Sequence, residues 1–393
     1  MDRVLGGMDV RNMRRLVVFC VLMKVLMVCT VFFIPVEYVA HAIGSDLDDL
    51  KHNWRYLNKT YDDVPVGEKF GYTFDSKVYV DISRNWYGVS EREMVYFNTL
   101  RERPEGFDKA YCKYNWPFVY PVLIGFLSGL TGDVLAGLLV TNVASIIALI
   151  LFYIVSLEYL GSDSAFRASI LFSFYPYNVT TWVSSASEPL FLIFVLLAWM
   201  MLKKKRVVVV GFLLFLASLT RWPGMMLFPI LSLIHVRREY GRSSMGVLMR
   251  SIILLNIFCM PLLYWMFIEV PGNTGFTLTE ITEVCSGYVF KPFMGLLGLS
   301  MLGIIFSYFA LVGAYYLKGV DKDLMIYALC FMAYHTSISG GGDSIGRYIG
   351  VIWPLFIYYG RELDRKDVIF FTTLFIIMSA VMVEFKVNMM SWI

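Results

Sequence analysis

LFSFYPYNVTTWVSSASEPLFLIFVLLAWMMLKKKRVVVVGFLLFLASLTRWPG, residues 171–224, is almost wholly apolar. Apart from its central KKKR (203–206) it carries two charges, Glu188 after SSAS and Arg221 in LTRWPG. The apolar runs on either side of KKKR read as two short bilayer crossings joined by a cytoplasmic turn. Both charges then fall at the opposite, outer mouth. A charge held in hydrocarbon costs roughly 2.5–3.5 kcal/mol on insertion scales, so each needs a partner or a task. Each also has a plainer reading. Glu188 suits the positive end of a helix. Arg221 can snorkel to the interface beside the break made by Pro223 and Gly224.

The rest of the chain continues this pattern. It is 58% hydrophobic and 17% aromatic, with a net charge of +3 and a mean hydropathy of +0.63. Soluble domains are about 45–50% apolar. The small positive charge excludes nucleic acid as a partner and reflects Lys and Arg clusters between apolar runs. The first run, 16–35, follows Arg11, Arg14 and Arg15 and has no small-residue cleavage site, so it reads as an uncleaved first helix. Residues 1–15 are then a cytoplasmic tail. The abundant Trp and Tyr read mostly as interfacial anchors.

Residues 36–131 interrupt the apolar series as a large extracytoplasmic loop. Its polar part, 36–115, is too long for a simple turn, and long loops are usually functional. Its end, WPFVYPVLIGFLSGL (116–130), is short and carries Pro117 and Pro121. If this stretch spans, the clusters KKKR, RREYGR (237–242) and RELDRK (361–366) all fall outside. If it lies along the outer interface, all three fall in the cytoplasm, as the positive-inside rule favours. Residues 132–393 then form a multispanning domain with crossings at 133–157, 164–184, 188–202, 207–221, 224–236, 248–268, 291–317, 323–338, 346–360 and 367–385. With the first helix the expected fold is an all-α integral membrane protein of about eleven transmembrane helices.

That topology gathers the polar anomalies on one side: the 36–115 loop, Glu188, Arg221, Asp343 and Arg347. Arg347 follows GGGDSIG (340–346), where glycines allow backbone to approach a ligand closely, although a local pair with Asp343 also accounts for it. SDLDDL (45–50) reads as a solvated acidic turn. Spacing alone does not single out one loop carboxylate among Asp46, Asp48, Asp49, Asp62, Asp63, Asp75, Asp81, Glu91 and Glu93. His41, His52, His235 and His335 lack metal-ligand spacing, so no metal or cofactor is expected. Cys20, Cys29, Cys259 and Cys330 lie in apolar runs and read as buried small hydrophobes. Cys112 and Cys285 fall in outer loops, where either a bridge or two unpaired thiols is chemically allowed.

A family pattern singles out Asp75. Residues 74–87, FDSKVYVDISRNWY, resemble the first-loop pattern W-D-S-x-x-Y-x-x-I-A-x-x-G-Y of the GT-C lipid-linked-sugar glycosyltransferases, and most closely the second mannosyltransferase of GPI assembly with its prokaryotic relatives. Here Phe74 replaces Trp, Ser83 replaces Ala and Trp86 replaces Gly. WPFVYP (116–121) looks like that family's F-F-P-x-x-P, and 171–191 like its L-F-x-x-x-P…S-A-x-Y-[TS]-E-x-L-F. LTRWPG (219–224) is similar to L-T-R-x-x-G, and Arg347-Tyr348 with Pro354-Leu355-Phe356 to R-Y-x-x-x-x-x-P-L-F. The matches keep their order along the chain.

The resemblance implies an inverting hexosyltransferase without a metal. A hexose, mannose first, would move from a polyprenyl (dolichyl) phosphate to a lipid-linked or glycan acceptor at the outer or lumenal face. Asp75 would be the general base. Arg221, then Arg347, would bind the phosphate. Glu188 would hold a sugar hydroxyl or orient an arginine. Tyr79, Asp81, Tyr87 and Tyr348 would support the loop. Membrane lipids and, as in some relatives, a small membrane subunit are the expected partners. The membrane would be the cell membrane in a prokaryote or the endoplasmic reticulum in a eukaryote. Two alternatives stay open: transfer of another sugar to lipid or protein, and transport of a polar lipid.

Overall fold

The computed structural model describes residues 9–33, 66–71, 74–87, 105–106, 109–286, 301–337 and 345–389. Every regular element among them is helical. In chain order these are α1 (Val10–Phe33), α2 (Val66–Gly71), α3 (Phe74–Asn85), α4 (Val119–Thr131), α5 (Asp133–Leu157), α6 (Ser162–Phe174), α7 (Pro176–Val183), α8 (Glu188–Lys203), α9 (Val207–Ser218), α10 (Gly224–Glu239), α11 (Met245–Asn256), α12 (Cys259–Tyr264), α13 (Val270–Thr274), α14 (Leu278–Ser286), α15 (Met301–Tyr316), α16 (Lys322–Thr336), α17 (Ile345–Val351), α18 (Pro354–Glu362) and α19 (Arg365–Met389). A 3-10 turn at Lys109–Asn115 leads towards α4, and a π turn at Trp265–Glu269 joins α12 to α13.

Three helical stretches, 10–32, 133–157 and 365–383, are long and apolar enough to cross a membrane, and up to five spans result if each of two bent pairs counts as one. About eleven crossings are not confirmed among the described residues, where several of the expected runs are divided. The reason is local: proline and small polar residues break the apolar runs. The run expected at 164–184 divides at Tyr175–Pro176, because proline offers no N–H and suits the first turn of a new helix. The run at 346–360 divides in the same way before Pro354. α7 and α8 meet at a bend of 114°, and α11 meets the helical stretch that follows it at 46°. α4 is a 13-residue apolar helix, in keeping with the short helix expected at 116–130.

The chain forms two compact units. The first comprises residues 1–84, 121–189 and 346–393, and the second 85–120 and 190–345. In the first unit α6 packs against α1, α5, α18 and α19, and α7 packs against α19. Small residues on α5 (Ala136, Gly137, Ala144, Ser145, Ala148) are buried, which lets helices approach closely without side-chain bulk. Lys24 of α1 donates to Asn142 Oδ1 (2.9 Å) and Ser145 Oγ (2.5 Å), so an ammonium within an apolar helix has neutral oxygen partners. In the second unit α9 packs on α10 and α11, and α16 on α10 and α15.

Aromatic residues behave differently from the anchor reading. Trp182, Trp199 and Trp353 are fully buried and belong to the core. Cys112 is disulfide-bonded, which excludes the reading with two unpaired thiols; the side chain of Cys285 lies outside the described residues. Of the four cysteines in apolar runs, all free, only Cys20 is fully buried. Asp46, Asp48, Asp49, Asp62, Asp63, Glu91, Glu93 and Asp343 lie outside the described residues, as do His41 and His52.

Candidate functional site

Asp75 stands in the first turn of α3 and Glu188 in the first turn of α8. At both positions the partial positive charge of the helix end favours a carboxylate. Arg347 lies in the short helix α17. The first unit brings the three together. Arg347 Nη2 donates to Asp75 Oδ2, and Arg347 Nε donates to Glu188 Oε1. The side chains of Asp75, Arg347 and Glu188 are only 10%, 10% and 3% exposed. One guanidinium thus joins two carboxylates. Charges this well buried persist only when paired and hydrogen-bonded.

The polar break between α7 and α8 sets Glu188. Residues 184–187 (SSAS) are buried, so their backbone groups need partners from the protein. Ser76 Oγ donates to the Ser185 carbonyl. Thr141 Oγ1 donates to the Ala186 carbonyl (2.9 Å) and accepts from the Ala186 N–H (3.0 Å). The Ser185 N–H reaches the Phe70 carbonyl at 3.3 Å. Tyr79 OH and Ser187 Oγ lie 2.7 Å apart. Ser76 and Tyr79 share α3 with Asp75, so one short helix holds the base candidate and fixes the loop that carries Glu188.

Arg347 is set by close packing of α17. Tyr175 OH donates to the Gly346 carbonyl at 2.9 Å. A Cβ added at Gly346 would stand 2.0 Å from the Tyr177 ring. Only glycine permits that approach, and it brings the next residue, Arg347, in behind α7.

The remaining sequence candidates have other places. Asp81 is buried in α3, and Tyr348 is half-buried in α17. Arg221 and Tyr87 belong to the second unit. Arg221 is half-buried in the turn between α9 and α10, its N–H donating to the Ala217 carbonyl at 2.8 Å. Tyr87 OH donates to the Trp116 carbonyl at 2.8 Å, and its ring stacks on Tyr114 at 4.7 Å. Trp86 holds φ 54°, the left-handed region. A large side chain there costs about 1–2 kcal/mol.

Sequence reading missed Ser76, Thr141, Tyr175, Gly346 and Lys77. The signal for the first two was SSAS itself: a polar tetrad in an apolar run demands partners. Lys77 is half-buried on α3, and burial pulls its ammonium down to about 7. Among the described residues no group of three or more His, Cys, Asp or Glu suits a metal ion.

No protein-family model matches the chain, and neither a curated protein nor a solved structure is significantly similar to it. By its own fold it is an all-helical chain with several helices suited to crossing a membrane.

Proposed function

We propose that this protein is a membrane-embedded glycosyltransferase that moves a hexose, mannose first, from a polyprenyl phosphate to a lipid-linked or glycan acceptor on the extracytoplasmic side. The observation that carries the reading is the convergence of Asp75, Glu188 and Arg347 into one buried, hydrogen-bonded cluster. The cluster belongs to a unit whose helices are apolar enough to span a bilayer. Three charges from distant parts of the chain, held dry and supported by a polar loop, are costly unless they serve a site.

In this reading the acceptor hydroxyl gives its proton to Asp75 as its oxygen attacks the anomeric carbon. The bond from that carbon to the phosphate oxygen breaks, and its electron pair leaves with the lipid phosphate. Arg347 holds Asp75 in position through its Nη2 hydrogen bond. Its fork already serves two carboxylates; a planar guanidinium, as the sequence pattern offers at Arg221, suits a developing phosphate oxyanion. Glu188 fixes Arg347.

A second reading, a polar-lipid transporter, draws on one observation, the span broken by 114° between α7 and α8. The test uses purified full-length protein in lipid nanodiscs with radiolabelled polyprenyl-phosphate mannose or glucose. Transfer to an acceptor is expected, with Asp75→Asn folded but at least about 10²-fold slower. Arg347 keeps Glu188 in that variant, so the fold survives. Retention of more than about a tenth of the rate removes the base assignment. Movement of intact donor across liposomes without chemical change establishes the transporter instead.

A further inference from the structure

Trp86 follows directly on α3, the helix whose first turn carries Asp75, and it begins an aromatic layer in the second unit. Its side chain is 52% exposed, and its backbone sits at φ 54°. A bulky residue in the left-handed region is a true outlier. Such outliers persist where the surroundings hold them, and they gather at ligand sites. Here the surroundings are aromatic. Phe118 lies 5.4 Å from the Trp86 ring, and Tyr87 meets it edge-on at 5.5 Å. Tyr87 is itself pinned by its bond to the Trp116 carbonyl and by its stack on Tyr114. The indole is therefore set in place before any ligand arrives, which lowers the ordering cost of binding.

The layer continues inward. Trp265 lies 6.0 Å from Tyr87 and 5.7 Å from Tyr114, and Trp222 stacks on Trp265 at 5.2 Å. Trp222 is the neighbour of Arg221. Two donors in this layer, Asn115 Nδ2 and Trp222 Nε1, are buried without an acceptor. Thr282 supplies the partner for Asn115 Oδ1 at 2.8 Å, so the amide is held with its N–H₂ unused. A buried orphan donor calls for an explanation, and hydrocarbon packed on the layer gives none. Those donors are buried and lie away from Trp86; it is the exposed, preset indole face that suits a ring with an apolar C–H face and hydroxyl-bearing edges.

We propose that Trp86, backed by Phe118 and Tyr87, is a stacking site for a hexopyranose ring of a glycan. The polarised C–H bonds of one pyranose face meet the electron-rich indole, while the hydroxyls stay at the edge. Naming the ring as part of the acceptor rests on the transferase reading; the stacking itself does not.

The experiment uses full-length protein in nanodiscs free of glycoside detergent, with methyl α-D-mannopyranoside and methyl β-D-glucopyranoside as probes and acyclic sorbitol as control. Saturation-transfer NMR is expected to mark the ring C–H protons of at least one pyranoside and none of sorbitol. Trp86→Phe keeps the binding. Trp86→Gly loses it by about tenfold or more, the range seen for removal of a stacking aromatic. Glycine also relieves the left-handed backbone, so this variant unfolds at an equal or higher temperature than the wild type. No saturation transfer to either pyranoside overturns the proposal, as does undiminished binding by Trp86→Gly. Loss of binding together with a lower unfolding temperature also overturns it, because Trp86 is then an interfacial anchor. Trp86-dependent pyranoside binding without transfer from any polyprenyl phosphate upholds the stacking site and removes the transferase reading, so the two fail separately.

Discussion

Among the described residues, two ionic clusters have inverse composition. In the first unit one arginine, Arg347, serves two carboxylates. In the second, one carboxylate, Asp323, serves two arginines, Arg237 (Nε at 2.7 Å) and Arg238 (Nε at 2.5 Å), and Arg238 also lies over the Trp199 ring at 5.3 Å. Their exposures differ more than their chemistry. Arg237 is 41% and Arg238 18% exposed, against 10% for Arg347. The Asp323 cluster ties the end of α10 to the start of α16, and its arginines keep access to water although Asp323 itself is only 5% exposed. The Arg347 cluster has an arginine as buried as its carboxylates. What distinguishes a tether from a candidate site is how far each charge depends on its partner, and that dependence grows with burial.

The largest expected effect breaks the buried cluster. Arg347→Met removes the guanidinium that joins Asp75 to Glu188 and costs about 3–5 kcal/mol of stability, read as a shift in the denaturant midpoint of the reconstituted protein. A loss below about 1 kcal/mol, the range of an exposed pair, would erase the contrast between the clusters.

A smaller effect comes from position alone. Gly346→Ala keeps every charge but drives a methyl group into the Tyr177 ring, with an expected cost of about 1–3 kcal/mol. Tyr177→Leu in the same chain should restore part of it. If Gly346→Ala matches the wild type in thermal unfolding, α17 is not held by that contact.

The solvated cluster should tolerate its own mutation. Arg237→Gln leaves Asp323 bound to Arg238, and the loss is about 0–1 kcal/mol. A larger drop in the same denaturant titration would show that exposure misjudges this tether.

The smallest effect is a pH slope from Lys77. Burial holds its ammonium down to about 7 in the folded state, against an ordinary 10.5 for lysine. The unfolded chain therefore binds more protons between those values, and stability rises with pH across the window. Below about 7 both states are protonated and the slope from this group vanishes. Lys77→Met should flatten the rise in unfolding temperature between pH 7 and pH 9. An identical slope in wild type and variant would assign it to other groups.

The sequence by itself determined the material of this protein. Hydropathy and composition established a helical chain suited to a membrane, since both depend only on local residue type. Glu188 and Arg347 stood out because charge in an apolar run is costly wherever it folds, and Asp75 stood out through the pattern around it. Local signals did not extend to partners. Arg347 pairs with Asp75 and Glu188 only because α17 packs against α7, while α3 threads Ser76 and Tyr79 onto the 184–187 loop. The same limit explains the tryptophans buried in the core and the apolar runs that divide into bent helices. Burial and pairing are non-local quantities, set by which surfaces meet, and the tertiary structure alone decides them.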